Sequence, residues 1–346
     1  MKSIFIKKNK KPFIIAEVGV NHECSILKAK KMILSAKKAG ADAVKFQTYK
    51  AELIASKNSP AYWDTKKEKS KNQYELFKKY DQLNLEDYQE LYNFCYQNKI
   101  LFASTPFDLE AVDLLDPLLK FYKISSSDVT NFPLIEKISK KNKPVILSTG
   151  ASSIEEIAEA IKLIKKNLNK ELVIMHCILC YPTKNEDANL GMIKDLEKKF
   201  ANCIIGYSDH TLPDKKMSNL MTAFLLGARV IEKHFTLNKK IKGNDHYHSM
   251  DSKDLKEFNK QISKKLTIIG SYEKKVIPNE KKSKKYARRS LVLKNSLKKN
   301  QIIKKNNLIA KRPGTGISPI NLKLILGKKI NKNLSEDHIL TWNDVT

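Results

Sequence analysis

Eight short apolar runs recur along the chain, and the stretches between them have the length and spacing of amphipathic helices. The runs are Phe13-Ile14-Ile15-Ala16, Ala43-Val44-Lys45-Phe46, Ile100-Leu101-Phe102-Ala103, Phe121-Tyr122-Lys123-Ile124, Val145-Ile146-Leu147, Leu172-Val173-Ile174-Met175, Cys203-Ile204-Ile205 and Arg229-Val230-Ile231. Strands joined by helical crossovers pair in parallel, because such a connection carries the chain back to the starting edge. Eight units of this kind predict a closed (β/α)8 barrel. The rival fold, an open doubly wound sheet, ordinarily presents a glycine-rich phosphate loop after its first strand, and none follows Ala16 here.

Helical spacing is clearest over Ile26 to Ala39, Leu85 to Asn98, Ile154 to Lys166 and Leu190 to Phe200. Two segments depart from the repeat. Tyr49 to Asn84 is a long insertion after the second strand, carrying Pro60 and Trp63, and a loop of that length at the active face of a barrel is expected to cover substrate. After the barrel the character changes: Lys274 to Lys285 is densely charged, and short β-like runs follow at Leu291-Val292-Leu293, Leu308-Ile309-Ala310, Leu324-Ile325-Leu326 and His338-Ile339-Leu340. The organisation expected is a catalytic barrel over 1–269, a linker over 270–285, and a small β-rich domain over 286–346 with little core of its own.

A formal charge of +28 raises the question of a polyanionic partner. Only four arginines, Arg229, Arg288, Arg289 and Arg312, accompany lysines spread over the whole length, so the charge reads as a solvated surface rather than a nucleic-acid site. A non-catalytic polyanion-binding protein remains the reading from another class. No run approaches the roughly 18 uninterrupted apolar residues of a membrane span, and the first residues lack a signal-peptide pattern. A cytoplasmic protein with no membrane partner is expected. Five scattered cysteines argue for reduced thiols, and Cys177-x-x-Cys180 lacks the second pair that a four-sulfur site requires.

Nearly every predicted strand ends in residues that a packed core would not select. The ends are Glu17 to His22, Lys45 with Gln47, Ser104-Thr105, Lys123 with Ser125 to Asp128, Ser148-Thr149, His176-Cys177 with Tyr181 just beyond, Ser208 to His210, and Glu232 to His234. In a parallel barrel all of these face one mouth. Buried Lys45 and Lys123 need anionic partners, and Thr105, Ser126, Ser148 and Ser208 add neutral donors, so a phosphate or carboxylate ligand fits. His210 and His234, at two successive strand ends, suit a shared divalent ion with positions left for substrate oxygens, and Glu232 is a candidate further ligand or supporting residue.

The signatures Ile15-Ala16-Glu17-Val18-Gly19-Val20-Asn21-His22, Lys45-Phe46-Gln47-Thr48, Ser104-Thr105-Pro106-Phe107, Leu147-Ser148-Thr149-Gly150, Gly206-Tyr207-Ser208-Asp209-His210, Ile231-Glu232-Lys233-His234-Phe235-Thr236 and Lys311-Arg312-Pro313-Gly314 together resemble the sialic acid synthase family. The resemblance implies a barrel that condenses phosphoenolpyruvate with an N-acylated mannosamine-type sugar and water, giving a nine-carbon acid and phosphate by carbon–oxygen cleavage. It also implies a C-terminal antifreeze-like (SAF) domain and a domain-swapped homodimer. By the resemblance Glu17, His210 and His234 are catalytic, with His210 and His234 holding Mn2+ or Mg2+. Lys45, Thr105, Lys123, Ser126, Ser148 and Ser208 surround phosphoenolpyruvate. Gln47, Asp128, Tyr181, Asp245 and, from the partner's small domain, Arg312 surround the sugar.

Departures from the family pattern bear on the acceptor. Ile178-Leu179 stands where a polar pair is usual, and Asp128 where a glutamate is usual, which points to a less polar acceptor such as the dideoxy, diacetamido hexose of a legionaminic- or pseudaminic-type synthase. His246-x-His248 has a ligand-like spacing but is read as part of a substrate-contacting loop. A related condensation on an aldose phosphate is disfavoured by the absence of an arginine cluster for a second phosphate.

Overall fold

The computed structural model describes residues 3–63, 65, 68–243 and 245–346, and separates into two compact units, Met1–Gly270 and Ser271–Thr346. In the first unit the strands are β1 (Phe13–Gly19), β2 (Ala43–Thr48), β3 (Leu101–Pro106), β4 (Tyr122–Ile124), β5 (Val145–Ser148), β6 (Leu172–Cys177), β7 (Ile204–Asp209) and β8 (Val230–His234). They pair in parallel in the order β3-β2-β1-β8-β7-β6-β5-β4, and β3 and β4 are neighbours across the remaining gap, which gives the barrel. Every residue of β1, β5, β6 and β8 is buried, as strands with helices on one side and a filled interior on the other require.

Around the strands run α1 (Ile26–Ala39), α2 (Ala51–Ile54), α3 (Gln73–Tyr80), α4 (Leu85–Gln97), α5 (Leu109–Leu115), α6 (Phe132–Lys140), α7 (Ile154–Asn167), α8 (Met192–Lys199), α9 (Ser218–Leu225) and α10 (Ser252–Ile269). Local chemistry sets many of their starts. Asn84 with Asp87, Ser153 with Glu156 and Asp251 with Asp254 form reciprocal capping boxes at α4, α7 and α10. The insertion after β2 is partly helical: it contains α2 and α3, the latter capped by the Asn72 side chain. Among the described residues no helix is long and apolar enough to cross a membrane.

The barrel interior is apolar only at its N-terminal end. Phe5 reaches in from the chain start and meets Phe13 and Phe121 edge-on, each with ring centroids 5.4 Å away. Ile15, Ala43, Ala103, Ile146, Val173, Met175 and Val230 complete this inner cluster. Gly206 is required on β7, because a Cβ there would meet the Val230 carbonyl at 2.8 Å and the Met175 side chain at 3.0 Å. With that end closed by hydrocarbon, the inward positions near the strand C-termini fall to polar side chains.

In the second unit α11 (Lys281–Ala287) precedes β9 (Ser290–Leu293), β10 (Leu308–Lys311) and the helical turn α12 (Leu322–Ile325), with β9 and β10 antiparallel. Two expectations are corrected here. The charged segment expected as a linker over 270–285 ends in α11, which buries none of its residues; four of its seven are lysine, a good helix former. Leu324-Ile325-Leu326 is not a strand: α12 turns Ile325 into a core formed with Leu291, Leu293, Leu297, Ile303, Ile317, Ile330, Leu334 and Leu340. Ile339 does pair with Val292, through a single bridge.

Candidate active site

The C-terminal ends of the strands enclose a cavity of about 650 Å3. The period-two alternation of a strand points Lys45 and Gln47 of β2 inward together, and Glu232 and His234 of β8 likewise, while Ser208 of β7 and His210 just beyond it share a face. Glu17, Lys45, Gln47, Thr105, Lys123, Ser126, Asp128, Ser148, Tyr181, Ser208, His210, His234 and Asp245 all line the cavity. Arg312 lies in the second unit and is exposed there.

At the cavity floor two lysines share carboxylates. Lys45 Nζ contacts a Glu17 carboxylate oxygen directly, donates to Thr105 Oγ1 at 3.0 Å, and lies 3.9 Å from Glu232 Oε1. Lys123 Nζ is 3.5 Å from the same Glu232 oxygen, which also accepts from Ser208 Oγ at 3.2 Å. Glu232, read from the sequence as a further metal ligand or a supporting residue near the histidines, is therefore the common counter-ion of both lysines. Ser148 Oγ is buried and has no hydrogen-bond partner among the described residues.

The charges of this floor are set by competition between desolvation and neighbours. Burial pulls the pKa of Lys45 down, but Glu17 and Glu232 outweigh it and hold the ammonium above its ordinary value. For Lys123 burial prevails over Glu232, and its pKa is lowered. Burial raises Glu17, which the attraction of Lys45 only partly offsets; Glu232 is instead drawn down against burial by Lys123 and Lys45. Two carboxyls shifted in opposite directions thus stand at the floor, Glu17 upward and 3.0 Å from the Gln47 amide, Glu232 downward.

Above the floor is an imidazole corner. The rings of His210 and His234 have centroids 5.5 Å apart, and the Tyr181 ring packs 4.2 Å from that of His210. His210 Nδ1 donates to the Ile178 carbonyl at 2.8 Å, which fixes the tautomer and leaves Nε2 as an available acceptor. His234 Nδ1 is 3.3 Å from Asp245 Oδ2; burial works against its protonation, but Asp245 raises its pKa, and Asp245 itself is held far below the ordinary carboxylate range. His234, Asp245 and His248 form a buried group whose potential ligand atoms lie within 4.8 Å of one another.

The 243–248 loop thus divides differently from its reading as a substrate-contacting unit. Asn244 lies outside the described residues. His246 turns away from the corner, bonding Thr236 Oγ1 at 2.8 Å and lying 3.3 Å from Glu23, whereas His248 faces His234 with ring centroids 4.9 Å apart. Spacing in a loop carries no face information, so the sequence alone does not separate the two histidines. The insertion after β2 supplies the outer wall, where Leu53, Tyr62, Trp63, Phe77 and Tyr80 border the cavity; its aromatic content was the available signal.

Residues 32–274 match the NeuB family and residues 288–346 the SAF domain. The chain is 42% identical to an uncharacterized protein of Methanocaldococcus jannaschii over 99% of its own length and 96% of the relative. It is 40% identical to the N,N'-diacetyllegionaminic acid synthase of Campylobacter jejuni, over 96% of this chain and 99% of that one. Among solved structures it resembles the N-acetylneuraminic acid (sialic acid) synthetase of Leptospira borgpetersenii in complex with citrate, with a TM-score of 0.72 and 31% identity over 82% of this chain and 93% of that one. A family match over most of the chain, together with relatives of this identity across nearly the full length, places the chain in the NeuB family.

Proposed function

We propose that the chain is a nonulosonic acid synthase that condenses phosphoenolpyruvate with an acylamino hexose and water, releasing phosphate. The observation that carries this is the cavity floor. Lys45 and Lys123 line the floor, Lys123 Nζ lies no nearer than 3.5 Å to the carboxylate it shares, and the buried Ser148 hydroxyl is without a partner among the described residues, so the floor offers charged and neutral donors to an incoming anion. A phosphate or carboxylate group satisfies them. Lys45, Thr105, Lys123, Ser126, Ser148 and Ser208 bind phosphoenolpyruvate in this reading, while Gln47, Asp128, Tyr181 and Asp245 contact the sugar.

The donor set also suits a divalent ion, Mn2+ or Mg2+. His210 gives its Nδ1 hydrogen to a carbonyl, which leaves Nε2 as an acceptor, and the buried His234 ring lies beside it with Asp245 Oδ2 3.3 Å from Nδ1, so imidazole and carboxylate ligand atoms converge. His210 and His234 would hold it, and such an ion supplies Lewis-acid polarisation of the sugar aldehyde. The new bond joins the enol carbon of phosphoenolpyruvate to the aldehyde carbon; water adds at the carbon bearing phosphate, and the bond from that carbon to the phosphate oxygen breaks. Glu17, whose pKa burial raises and which adjoins Lys45, exchanges protons with the reacting oxygens.

The acceptor proposed is a dideoxy, diacetamido hexose. The outer wall of Leu53, Tyr62, Trp63 and Phe77, together with Leu179, offers apolar surface to a deoxy methyl and to acyl groups rather than donors to hydroxyls. The relative named a diacetyllegionaminic acid synthase is consistent with that choice. A second copy of the chain supplies Arg312 to the sugar in a domain-swapped homodimer, and its rigid fork of donors suits acylamino and hydroxyl oxygens. Purified protein, phosphoenolpyruvate, Mn2+ and a panel of free and phosphorylated acylamino sugars test the reading by phosphate release. The diacetamido hexoses should be turned over fastest; release with none of the neutral sugars would refute it.

A further inference from the structure

The buried group around His234 contains an imidazole that the pair of strand-end histidines leaves unexplained. His248 is fully buried, and neither of its ring nitrogens has a hydrogen-bond partner among the described residues. Its Nε2 is 4.0 Å from Asp245 Oδ1, and its ring lies 4.9 Å from that of His234 and 6.5 Å from that of His210. A histidine desolvated on all sides without a partner is costly unless it meets a ligand.

Its placement is fixed by backbone, not by chance packing of a loop. The Met250 N–H donates to the His234 carbonyl at 2.8 Å and Thr236 N–H to the Met250 carbonyl at 3.0 Å, so the chain two residues beyond His248 is pinned alongside the end of β8. Asn21 Nδ2 bridges the Phe235 carbonyl and Ser249 Oγ, both at 3.0 Å, and Ser249 Oγ donates to the Asp245 carbonyl. Five hydrogen bonds thus hold His248 and Asp245 against His234.

We propose that His248 is a third imidazole ligand of the divalent ion, so that His234, Asp245 and His248 present a two-histidine, one-carboxylate face to it. The inference rests on the reading that a metal binds at His210 and His234, and extends the protein's share of the ligands. A set of this kind takes borderline divalent ions such as Mn2+, Fe2+ and Co2+ and still leaves positions for substrate oxygens. Two imidazoles alone would hold such an ion more weakly.

The test uses the full chain freed of metal by chelation and gel filtration. Mn2+ binding is followed by electron paramagnetic resonance of the free ion, and Co2+ binding by its visible absorption, in wild type, His248→Ala, His248→Gln and His234→Ala. Because His248→Gln keeps the bulk of the buried ring, it stands in should the alanine variant fold poorly, and metal-free melting temperatures establish which variants are folded. Loss of His248 should weaken Mn2+ binding by about tenfold to a hundredfold and shift the Co2+ bands. An unchanged Mn2+ affinity and Co2+ spectrum in a folded His248 variant, with binding lost in His234→Ala, overturns the proposal and leaves the two-histidine reading standing. Phosphate release by the wild type on the acceptor panel decides the proposed function separately.

Discussion

Asp209 and Lys233 are the last paired residues of β7 and β8, and each immediately precedes a histidine of the site. Their side chains point away from the cavity into the layer beneath the helices, where they are 2% and 0% exposed and form an ion pair of 2.7 Å. Lys233 Nζ also donates to the Thr211 carbonyl at 2.6 Å, while Asp209 Oδ1 accepts from Tyr207 Oη at 2.8 Å and Thr211 N–H at 2.9 Å. The pair therefore ties together the two strand ends that carry His210 and His234. Removing one partner of a buried pair costs about 3–5 kcal/mol. Asp209→Asn should lie at the upper end, because it leaves the Lys233 ammonium with one carbonyl, and Lys233→Met at the lower end, because Asp209 keeps two neutral donors. The double variant should cost less than the sum, since no uncompensated charge remains. Denaturant melts of the full chain, following the barrel transition, measure all three. Single-variant losses below about 1 kcal/mol, or strict additivity in the double variant, would refute the clamp.

Replacing Lys123 by Met removes a charge-assisted donor worth about 1.5–3 kcal/mol, and should raise the KM for phosphoenolpyruvate by about one to two orders of magnitude with a far smaller effect on the acceptor KM. An unchanged phosphoenolpyruvate KM in steady-state phosphate-release kinetics counts against the assigned anion subsite. Trp63→Ala, which opens the outer wall, should raise the KM of a diacetamido deoxy sugar severalfold and leave phosphoenolpyruvate unaffected; equal effects on both substrates contradict the wall's role. In the small unit Asp344 accepts from Thr341 and pairs with Lys332 at 2.9 Å and His338 at 3.0 Å, and these partners outweigh burial to hold its pKa well below the ordinary range. A depressed folded pKa stabilises fully above the unfolded value of about 4 and loses that contribution as pH falls through the lower folded value. Asp344→Asn should therefore destabilise this unit near neutral pH and flatten its acid sensitivity; thermal melts with the wild type's acid dependence intact in the variant would contradict the assignment.

The barrel was legible because strand runs such as Val145-Ile146-Leu147 and Leu172-Val173-Ile174-Met175 are apolar on both faces, a pattern that only helices outside and a filled interior explain. The polar strand ends were legible for the same reason inverted: Lys45, Lys123 and Glu232 interrupt such runs where hydrocarbon would otherwise stand. What the pattern does not carry is which side chains meet across the barrel. Glu232 as joint counter-ion of two lysines depends on the three-dimensional closure of β2, β4 and β8, and the division of His246 from His248 depends on the path of an irregular loop. The helical course of Lys281–Ala287 and of Leu322–Ile325 was obscured by composition, since charge density reads as linker and three successive aliphatic residues read as strand.

The chemistry assigned to the cavity turns on which bond to the phosphate oxygen breaks. Phosphoenolpyruvate labelled with 18O at the bridging position, incubated with the protein, Mn2+ and a diacetamido deoxyhexose, tests this directly by mass spectrometry of both products. The account predicts that the label leaves entirely in inorganic phosphate, with a nine-carbon acid formed in equal amount. Label retained in the acid, or phosphate released without that acid, would contradict it.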